Sequence, residues 1–307
     1  MKNEWKKLGL IYSTHGTHCH PKLLTHAANP LPMLIEGDLY RVFYSGRDIN
    51  NKSSVGAVDI DIVKHKVIKV HNEPFFEHGP EGSFYEDGVS IGNCYTVNDV
   101  QYMLFMGWQT PKAGHWRGDI GRLVVTPDLS LVLDSNKPFM GSDDIDPISL
   151  SYPWVQKSKE GGYVMWYGST STWDAGNGEM LHVINCAESQ DGHNWNRKGL
   201  SIPYQIGKAQ AFSRPTMIES ISIGFEMWFS YRSGSGEKYR IGYAYSIDSK
   251  KWKLALQDAG ISVSLYGWDS EMIEYPFVFD HKGQRYMLYN GNGYGKTGFG
   301  LAILTNE

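Results

Sequence analysis

The sequence predicts an all-β fold, a single five-bladed β-propeller with four-stranded blades spanning residues 1–307. Three observations carry that prediction. One motif recurs about every sixty residues. The chain is rich in strand-forming aromatic residues, 13% in all, with 10 Trp and 19 Tyr. No segment shows a sustained helical period.

Five segments align without gaps over about twenty residues, beginning at Asn29, Val89, Tyr152, Arg214 and Tyr275, in steps of 60, 63, 62 and 61. Each joins a short apolar run to a polar turn and then an aromatic-rich run: YRVFYS, YMLFMGW, YVMWYG, EMWFSYR and YMLYNG. That pattern is a β-hairpin. Four of the five segments carry proline at the second position, where it opens a strand without losing a needed ladder bond. A third strand follows in each repeat (SSVGAVDI, DIGRLVVT, MLHVINCAES, YRIGYAYS, GFGLAIL), and a turn then leads to a fourth, clearest in SQDGHNWNRKGLSI and SIDSKKWKLAL. The fifth repeat has no fourth strand of its own. Trp5-Lys-Lys-Leu-Gly9-Leu10 matches Trp195-Asn-Arg-Lys-Gly199-Leu200 of the third repeat, so residues 4–12 are expected to complete the last blade. Closure of this kind protects sheet edges, which an open solenoid does not do.

Composition narrows the function classes. A net charge of −4 gives no electrostatic case for nucleic acid, and no window is long and apolar enough for a membrane helix. Cys19, Cys94 and Cys186 have no metal-like spacing and are odd in number, so no disulfide framework or metal site is expected, and no cofactor. The opening MKNEWKKLGLIYS lacks the apolar stretch of a signal peptide, and a cytoplasmic location is the expectation.

In a propeller, the loops entering each first strand and leaving each second strand gather at one mouth of the central channel. Reading those positions gives His26, Asn29, Asp87, Tyr152, Arg214, Glu271 and Glu274 from the first strands. The second strands give Arg47, Asp48, Trp108, Trp166, Arg232, Asn290 and Asn292. Three arginines and four carboxylates converging on one pore require mutual pairing or a ligand, because unpaired buried charge is costly.

At these residues, with the sixty-residue repeat and the S-x-D-x-x-x-W turns (Ser189 to Trp195, Ser246 to Trp252), the chain resembles the five-bladed propeller glycosidases. That superfamily comprises arabinanases, levansucrases and invertases, together with mannoside phosphorylases. The resemblance covers essentially the whole chain and implies action on a sugar through acidic residues at the funnel mouth. Two departures stand out. The first inner strand reads Ala27-Ala28-Asn29-Pro30, and the fourth Phe212-Ser213-Arg214-Pro215, where many relatives carry carboxylates. The standard acid set therefore does not transfer.

The acids available are Asp48, Asp87, Glu271 and Glu274. Glycoside cleavage needs one protonated carboxyl and one carboxylate, about 5 Å apart for retention and about 6.5–9.5 Å for inversion. Asp87 and Glu274 belong to different blades, with one blade between, which favours the wider gap. Trp268, Met272 and Tyr275 supply the apolar surroundings that would raise the pKa of Glu271 or Glu274. Arg47, Arg214 and Arg232 suit an anionic substrate, a sugar phosphate, uronic acid or nucleotide sugar, or inorganic phosphate as nucleophile; ion pairing with neighbouring acids is the competing explanation. Trp108, Trp116 and Trp173 are candidate sugar-stacking platforms. The histidine run His15, His18, His20, His26 lies in an irregular connection; a funnel-lining role for His26 or His20 is favoured over zinc. Tyr289-Asn-Gly-Asn-Gly-Tyr-Gly295 follows a strand but opens no helix, so it reads as a strand end presenting Asn290 and Asn292, not as a nucleotide loop. The expectation is thus an enzyme that cleaves a glycosidic bond of a small carbohydrate. A catalytically silent sugar-binding propeller is the alternative.

Overall fold

The computed structural model describes residues 3–16, 20–112, 114–220, 223–234 and 236–305. Its twenty strands fall into five sets of four. The first set is β2 (Thr25–Glu36), β3 (Leu39–Arg47), β4 (Ser53–Asp61) and β5 (Lys66–Val70). The second is β6 (Gly88–Val97), β7 (Val100–Gln109), β8 (Arg117–Val125) and β9 (Leu131–Leu133). The third is β10 (Leu150–Lys157), β11 (Tyr163–Thr172), β12 (Leu181–Ser189) and β13 (Asn196–Leu200). The fourth is β14 (Ser213–Ser220), β15 (Gly224–Tyr231), β16 (Arg240–Ser246) and β17 (Trp252–Leu254). The fifth joins β18 (Glu274–His281), β19 (Gln284–Asn290) and β20 (Phe299–Leu304) to β1 (Trp5–Tyr12) from the other end of the chain. Pairing within every set is antiparallel. A parallel bridge from Ser53 to Gly88 fuses the first two sets into one eight-stranded sheet, and the other three remain separate four-stranded sheets. Among the described residues no helix is long and apolar enough to cross a membrane.

Strand β1 pairs with β20 from Trp5↔Leu304 to Tyr12↔Phe299. Its anchor is Trp5, 6% exposed, whose ring meets Trp228 edge-on at 5.6 Å. The first strands of the five units touch in cyclic order: β2 contacts β6, β6 contacts β10, β10 contacts β14, β14 contacts β18, and β18 contacts β2.

Each first strand carries a bulge near its start. Register breaks fall between Ala28 and Leu31, Ile91 and Cys94, Ser151 and Trp154, Ser213 and Thr216, and Glu274 and Phe277. Four of them hold a residue before proline in the left-handed region, with φ of 55° at Asn29, 35° at Tyr152, 46° at Arg214 and 52° at Tyr275. A residue before proline is crowded out of the helical region, and a non-glycine residue with positive φ is strained. Bulges re-aim side chains, and here they turn one residue of each unit toward the axis. The second unit has Gly92 where the others have proline. A Cβ on Gly92 would sit 2.4 Å from the carbonyl oxygen of Pro153, so the approach of the third unit requires glycine there.

Hydrogen bonds between units fix the equivalences. Ser45 Oγ accepts from the Ile91 N–H (3.3 Å), Ser230 Oγ from the Tyr275 N–H (2.7 Å) and Asn290 Oδ1 from the Asn29 N–H (2.8 Å). Three residues further along, the Val155 N–H donates to Asn93 Oδ1 and the Val278 N–H to Thr216 Oγ1. Ile91, not Val89, is therefore the counterpart of Asn29, Tyr152, Arg214 and Tyr275. Counted from Ile91, YMLFMGW begins eleven residues on, as YRVFYS, YVMWYG and YMLYNG do from Asn29, Tyr152 and Tyr275, so the alignment from Val89 stood two residues out of step. Counted from 29, 91, 152, 214 and 275, the steps become 62, 61, 62 and 61.

Candidate functional site

The residue just before each of those axial positions is Ala28, Ser90, Ser151, Ser213 or Glu274. Three of the five, Ser90, Ser151 and Ser213, line a cavity of about 490 Å³ at the mouth formed by the first-strand starts and second-strand ends. Its walls are largely aromatic and thioether: Trp108, Trp116, Tyr152, Phe212, Tyr239, Tyr275, Tyr294, Met106 and Met180, with Arg47, Arg232 and His182 among them. Rings with one polar edge suit sugar faces, which present C–H patches beside hydroxyls. Trp116 is backed by Trp173 at 5.1 Å, and Trp173 stacks on His115 at 4.5 Å, so Trp173 buttresses the wall instead of lining it.

Glu274 holds the same position in the fifth unit that the serines hold in theirs. Its side chain is fully buried and neither carboxyl oxygen has a hydrogen-bond partner. Burial pushes its pKa well above the ordinary carboxylate range, against the opposing pull of Arg232 and Arg47. An ionised carboxylate without a donor is expensive in such a place, which favours the protonated form. Its charge would act on Tyr152, Tyr239 and Tyr275, all on the cavity wall.

Arg47 and Arg232 reach the cavity from the ends of β3 and β15. Arg47 donates to Asn51 Oδ1 (2.7 Å) and not to the neighbouring Asp48. Arg232 pairs with Glu179 at 2.8 Å and lies over the Tyr239 ring, while its Nε–H finds no acceptor. His182, from β12, was not anticipated. Its Nε2 lies 2.7 Å from Ser151 Oγ and its Nδ1 2.7 Å from Thr170 Oγ1. Burial, then Arg232, depresses its pKa to about 3. Gly168 makes room for the pair, since a Cβ there would fall 2.1 Å from Ser151 Oγ. His182 sits on a third strand, and its side-chain bonds to Ser151 and Thr170 lie within the third unit, outside the positions the repeat singles out.

Several predicted site residues have other work. Arg214 is 2% exposed and plugs the axis: its guanidinium donates to the carbonyls of Tyr275 (3.2 Å), Pro30 (2.8 Å) and Gly92 (3.5 Å), from the fifth, first and second units. Burial lowers its pKa to about 9. Asn290 is likewise spent on the backbone, donating to Ala27 and Gly298 and accepting from Asn29, whose own Oδ1 is buried and unpartnered. Asn292 ties Gly267, Glu271 and Met272 together in a loop, and the Glu271 side chain is exposed away from the cavity. Asp48 organises its own turn by accepting from the N–H groups of Asn50 and Lys52. Trp166 lies in the middle of β11, 1% exposed and edge-on to Trp252, because the strand runs six residues past it.

Asp87 stands at the rim, accepting from the Thr110 N–H at 2.6 Å with Lys52 at 3.3 Å. His26 is partly buried behind the cavity, its pKa lowered to about 4 by burial, then by Arg47 and Lys296. His20 contacts the Lys22 N–H and lies 3.6 Å from Glu73; His18 and Cys19 fall outside the described residues. Among the described residues no three His, Cys, Asp or Glu side chains cluster as metal ligands. The site is thus a mixed aromatic and cationic cleft, with the buried Glu274 near its arginines but not on its wall.

No protein-family model matches the chain. Solved structures share its fold at low sequence identity. A glycosyl hydrolase from Bacteroides ovatus superposes with a TM-score of 0.73 at 12% identity, covering 99% of this chain and 94% of that one. A structure from the GH130 family of mannoside phosphorylases, which contains glycoside hydrolases that target β-1,2 mannosidic linkages in Candida mannan, gives 0.70 at 13% identity, covering 99% and 94%. An exo-1,5-α-L-arabinanase from a bovine ruminal metagenomic library gives 0.62 at 13%, covering 94% and 95%. The all-β fold is therefore that of the propeller glycosidases and phosphorylases. In sequence, two proteins of Mycobacterium tuberculosis, the uncharacterized proteins MT1551 (strain CDC 1551 / Oshkosh) and Rv1502 (strain ATCC 25618 / H37Rv), are each 42% identical to it over 305 residues, which is 98% of this chain and 99% of theirs. The chain belongs to the family of these two mycobacterial proteins.

Proposed function

We propose that the five four-stranded units close as the blades of one propeller, and that the chain cleaves a glycosidic bond of a small carbohydrate held at its mouth. The cyclic contacts of the first strands and the pairing of β1 with β20 support the ring. The observation that carries the activity is Glu274: a fully buried carboxyl, without partners, at the position where the other units place cavity-lining serines. A carboxyl kept neutral near pH 7 is suited to protonate a leaving oxygen. In the step proposed, the Glu274 proton passes to the glycosidic oxygen as the bond from that oxygen to the anomeric carbon breaks. Water, or inorganic phosphate, forms the new bond to that carbon. Glu274 is left ionised, and the guanidinium charges of Arg47 and Arg232 stabilise it. Asp87, held at the rim by Thr110 and Lys52, is the candidate base for an attacking water.

The test is Glu274→Gln, assayed on a panel of glycosides with and without phosphate. Turnover should fall about 100-fold or more while ligand affinity changes by less than about threefold. Undiminished turnover would remove Glu274 from the chemistry. A second reading, a catalytically silent sugar-binding propeller, is favoured by one feature: no carboxylate lines the cavity itself. Sugar binding by the wild type without turnover on any glycoside would select it.

A further inference from the structure

Glu274 holds a proton that its own position does not deliver to the cavity. Its carboxyl is fully buried, neither oxygen has a hydrogen-bond partner, and the residue is not among those that line the wall. A general acid must come within about 3 Å of the oxygen it protonates, directly or through one intermediary. The intermediary has to stand near Glu274, face the cavity, and both take and give a proton. Three phenols of the wall, Tyr152, Tyr239 and Tyr275, lie where the Glu274 charge acts on them. A phenol hydroxyl is at once a donor and an acceptor. His182, the other candidate on the wall, is already engaged at both nitrogens by Ser151 and Thr170.

The backbone singles out Tyr275. As neighbours in a regular strand, Glu274 and Tyr275 would face opposite sides of the sheet. The bulge between Glu274 and Phe277, with φ of 52° at Tyr275, breaks that alternation. The bend is held at both ends: the Tyr275 N–H donates to Ser230 Oγ at 2.7 Å, and its carbonyl accepts from Arg214 at 3.2 Å. Its ring packs with Tyr152 and Met106 on the cavity wall. Burial aside, Tyr239 answers first to the charge of Arg232, Tyr152 to hydrogen bonding with Tyr275 and Ser90, and Tyr275 to Glu274. Burial also pushes the Tyr275 pKa well above the ordinary phenol range, so this hydroxyl gives up a proton only while it receives one. A protonated carboxyl cannot take the phenol proton, which rules out Tyr275 as a nucleophile activated by Glu274.

Resting on the reading of Glu274 as the acid, we infer that Tyr275 is the catalytic residue that touches the leaving oxygen, and that Glu274 acts through it. In one step the Tyr275 hydroxyl proton passes to the glycosidic oxygen, the bond from that oxygen to the anomeric carbon breaks, and the Glu274 carboxyl proton moves to the Tyr275 oxygen. Tyr275 ends as it began, Glu274 ends ionised, and the attacking water or phosphate forms the new bond to carbon. Catalytic hydrogen bonds commonly tighten only when substrate binds, and the contact between Glu274 and Tyr275 is expected to form then.

The test compares leaving groups. A methyl glycoside needs a proton on its departing oxygen; a dinitrophenyl glycoside does not, because dinitrophenolate leaves as a stable anion. Methyl and dinitrophenyl pairs of mannose, glucose, galactose and arabinose are assayed, with and without phosphate, on wild type, Tyr275→Phe, Glu274→Gln and the double variant. On the methyl glycoside Tyr275→Phe should lower kcat about 100-fold or more, as Glu274→Gln does, while both stay within about threefold of wild type on its dinitrophenyl partner. Because the two residues act in series, the double variant should be within about threefold of the slower single one. Tyr152→Phe and Tyr239→Phe should lose less than Tyr275→Phe; a greater loss at either would overturn the assignment to Tyr275. A Tyr275→Phe enzyme at the wild-type rate on the methyl glycoside, with Glu274→Gln slow, overturns the inference and leaves Glu274 as the acid. Equal loss on both members of a pair, or a change confined to KM, overturns it as well, since packing or binding would then explain the effect. If both variants match the wild type, or the wild type turns over no glycoside, the acid itself falls and Tyr275 with it.

Discussion

Replacing Glu274 by glutamine should change how stability depends on pH, and the sign follows from burial. The unfolded-state pKa of a glutamate is about 4.3, and in the fold Glu274 is pushed well above that by desolvation, with Arg232 and Arg47 opposing. Between the two values the folded chain binds more protons than the unfolded one, so stability falls as pH rises. Below the unfolded pKa the contribution is fully present; above the folded pKa it is gone. Within that window the slope is about 1.4 kcal/mol per pH unit for one proton. With an unfolding entropy of about 2.1 cal/mol/K per residue, a chain of 307 residues has about 0.65 kcal/mol/K at its midpoint. Each pH unit is therefore worth about 2 °C in Tm. Glutamine does not titrate, so Tm of Glu274→Gln minus Tm of wild type should climb by about 2 °C per unit from pH 4.5 upward and level off at the folded pKa. Because the difference is taken at each pH, the cost of burying the amide enters as a constant offset and does not affect the slope. Differential scanning fluorimetry from pH 4.5 to 8 measures this directly. A flat difference would mean that the carboxyl titrates normally, and its role as a neutral acid would fall with it.

Other perturbations follow from the same packing. Arg214→Met should destabilise the fold by about 3 kcal/mol or more in a urea titration, since it strands the carbonyls of Tyr275 and Pro30 that it now satisfies. Trp5→Ala should cost about 3–5 kcal/mol, seen as a loss of several degrees in Tm, because it removes the ring that packs edge-on against Trp228. His182, with its folded pKa near 3 against about 6.5 unfolded, contributes stability present above pH 6.5 and lost as pH falls toward 3. His182→Gln should therefore show a shallower loss of Tm than the wild type between pH 6.5 and 4.

The repeat made the strand pattern legible because a hairpin has a local signature: alternating apolar residues, a polar turn, and a proline at the first strand. The Trp5 match made β1 legible for the same reason. Positions facing the axis were harder to read. The second repeat lacks the strand-entry proline that marks the others, and without that marker the alignment opened at Val89 instead of Ile91, the true counterpart of Asn29. That slip promoted Asp87 to an inner-strand position it does not hold, and it hid Ser90. Arg214 illustrates a different limit. Its charge suggested a ligand, yet the fold surrounds it with carbonyl oxygens from three other units, and no local sequence pattern reports carbonyls brought together from residues 30, 92 and 275. His182 was missed because it approaches the cavity from a third strand, outside the two positions per unit that a propeller's geometry singles out.

The repeat also explains how a symmetric scaffold yields an asymmetric cleft. One position near the start of each first strand is filled by Ala28, Ser90, Ser151, Ser213 and Glu274, and its three serines line the cavity. The small serines leave room for the cavity, and the one large acid is fully buried, where desolvation raises its pKa. The next position closes the axis, with Tyr152 and Tyr275 in ring contact at 5.2 Å over the plug made by Arg214. Both positions depend on the strained pre-proline turn, so the energy stored at Tyr152, Arg214 and Tyr275 keeps the mouth in shape. In the fifth unit the loss of hydration outweighs the opposing charges of Arg232 and Arg47 from the neighbouring second strands, and the carboxyl's pKa rises on balance.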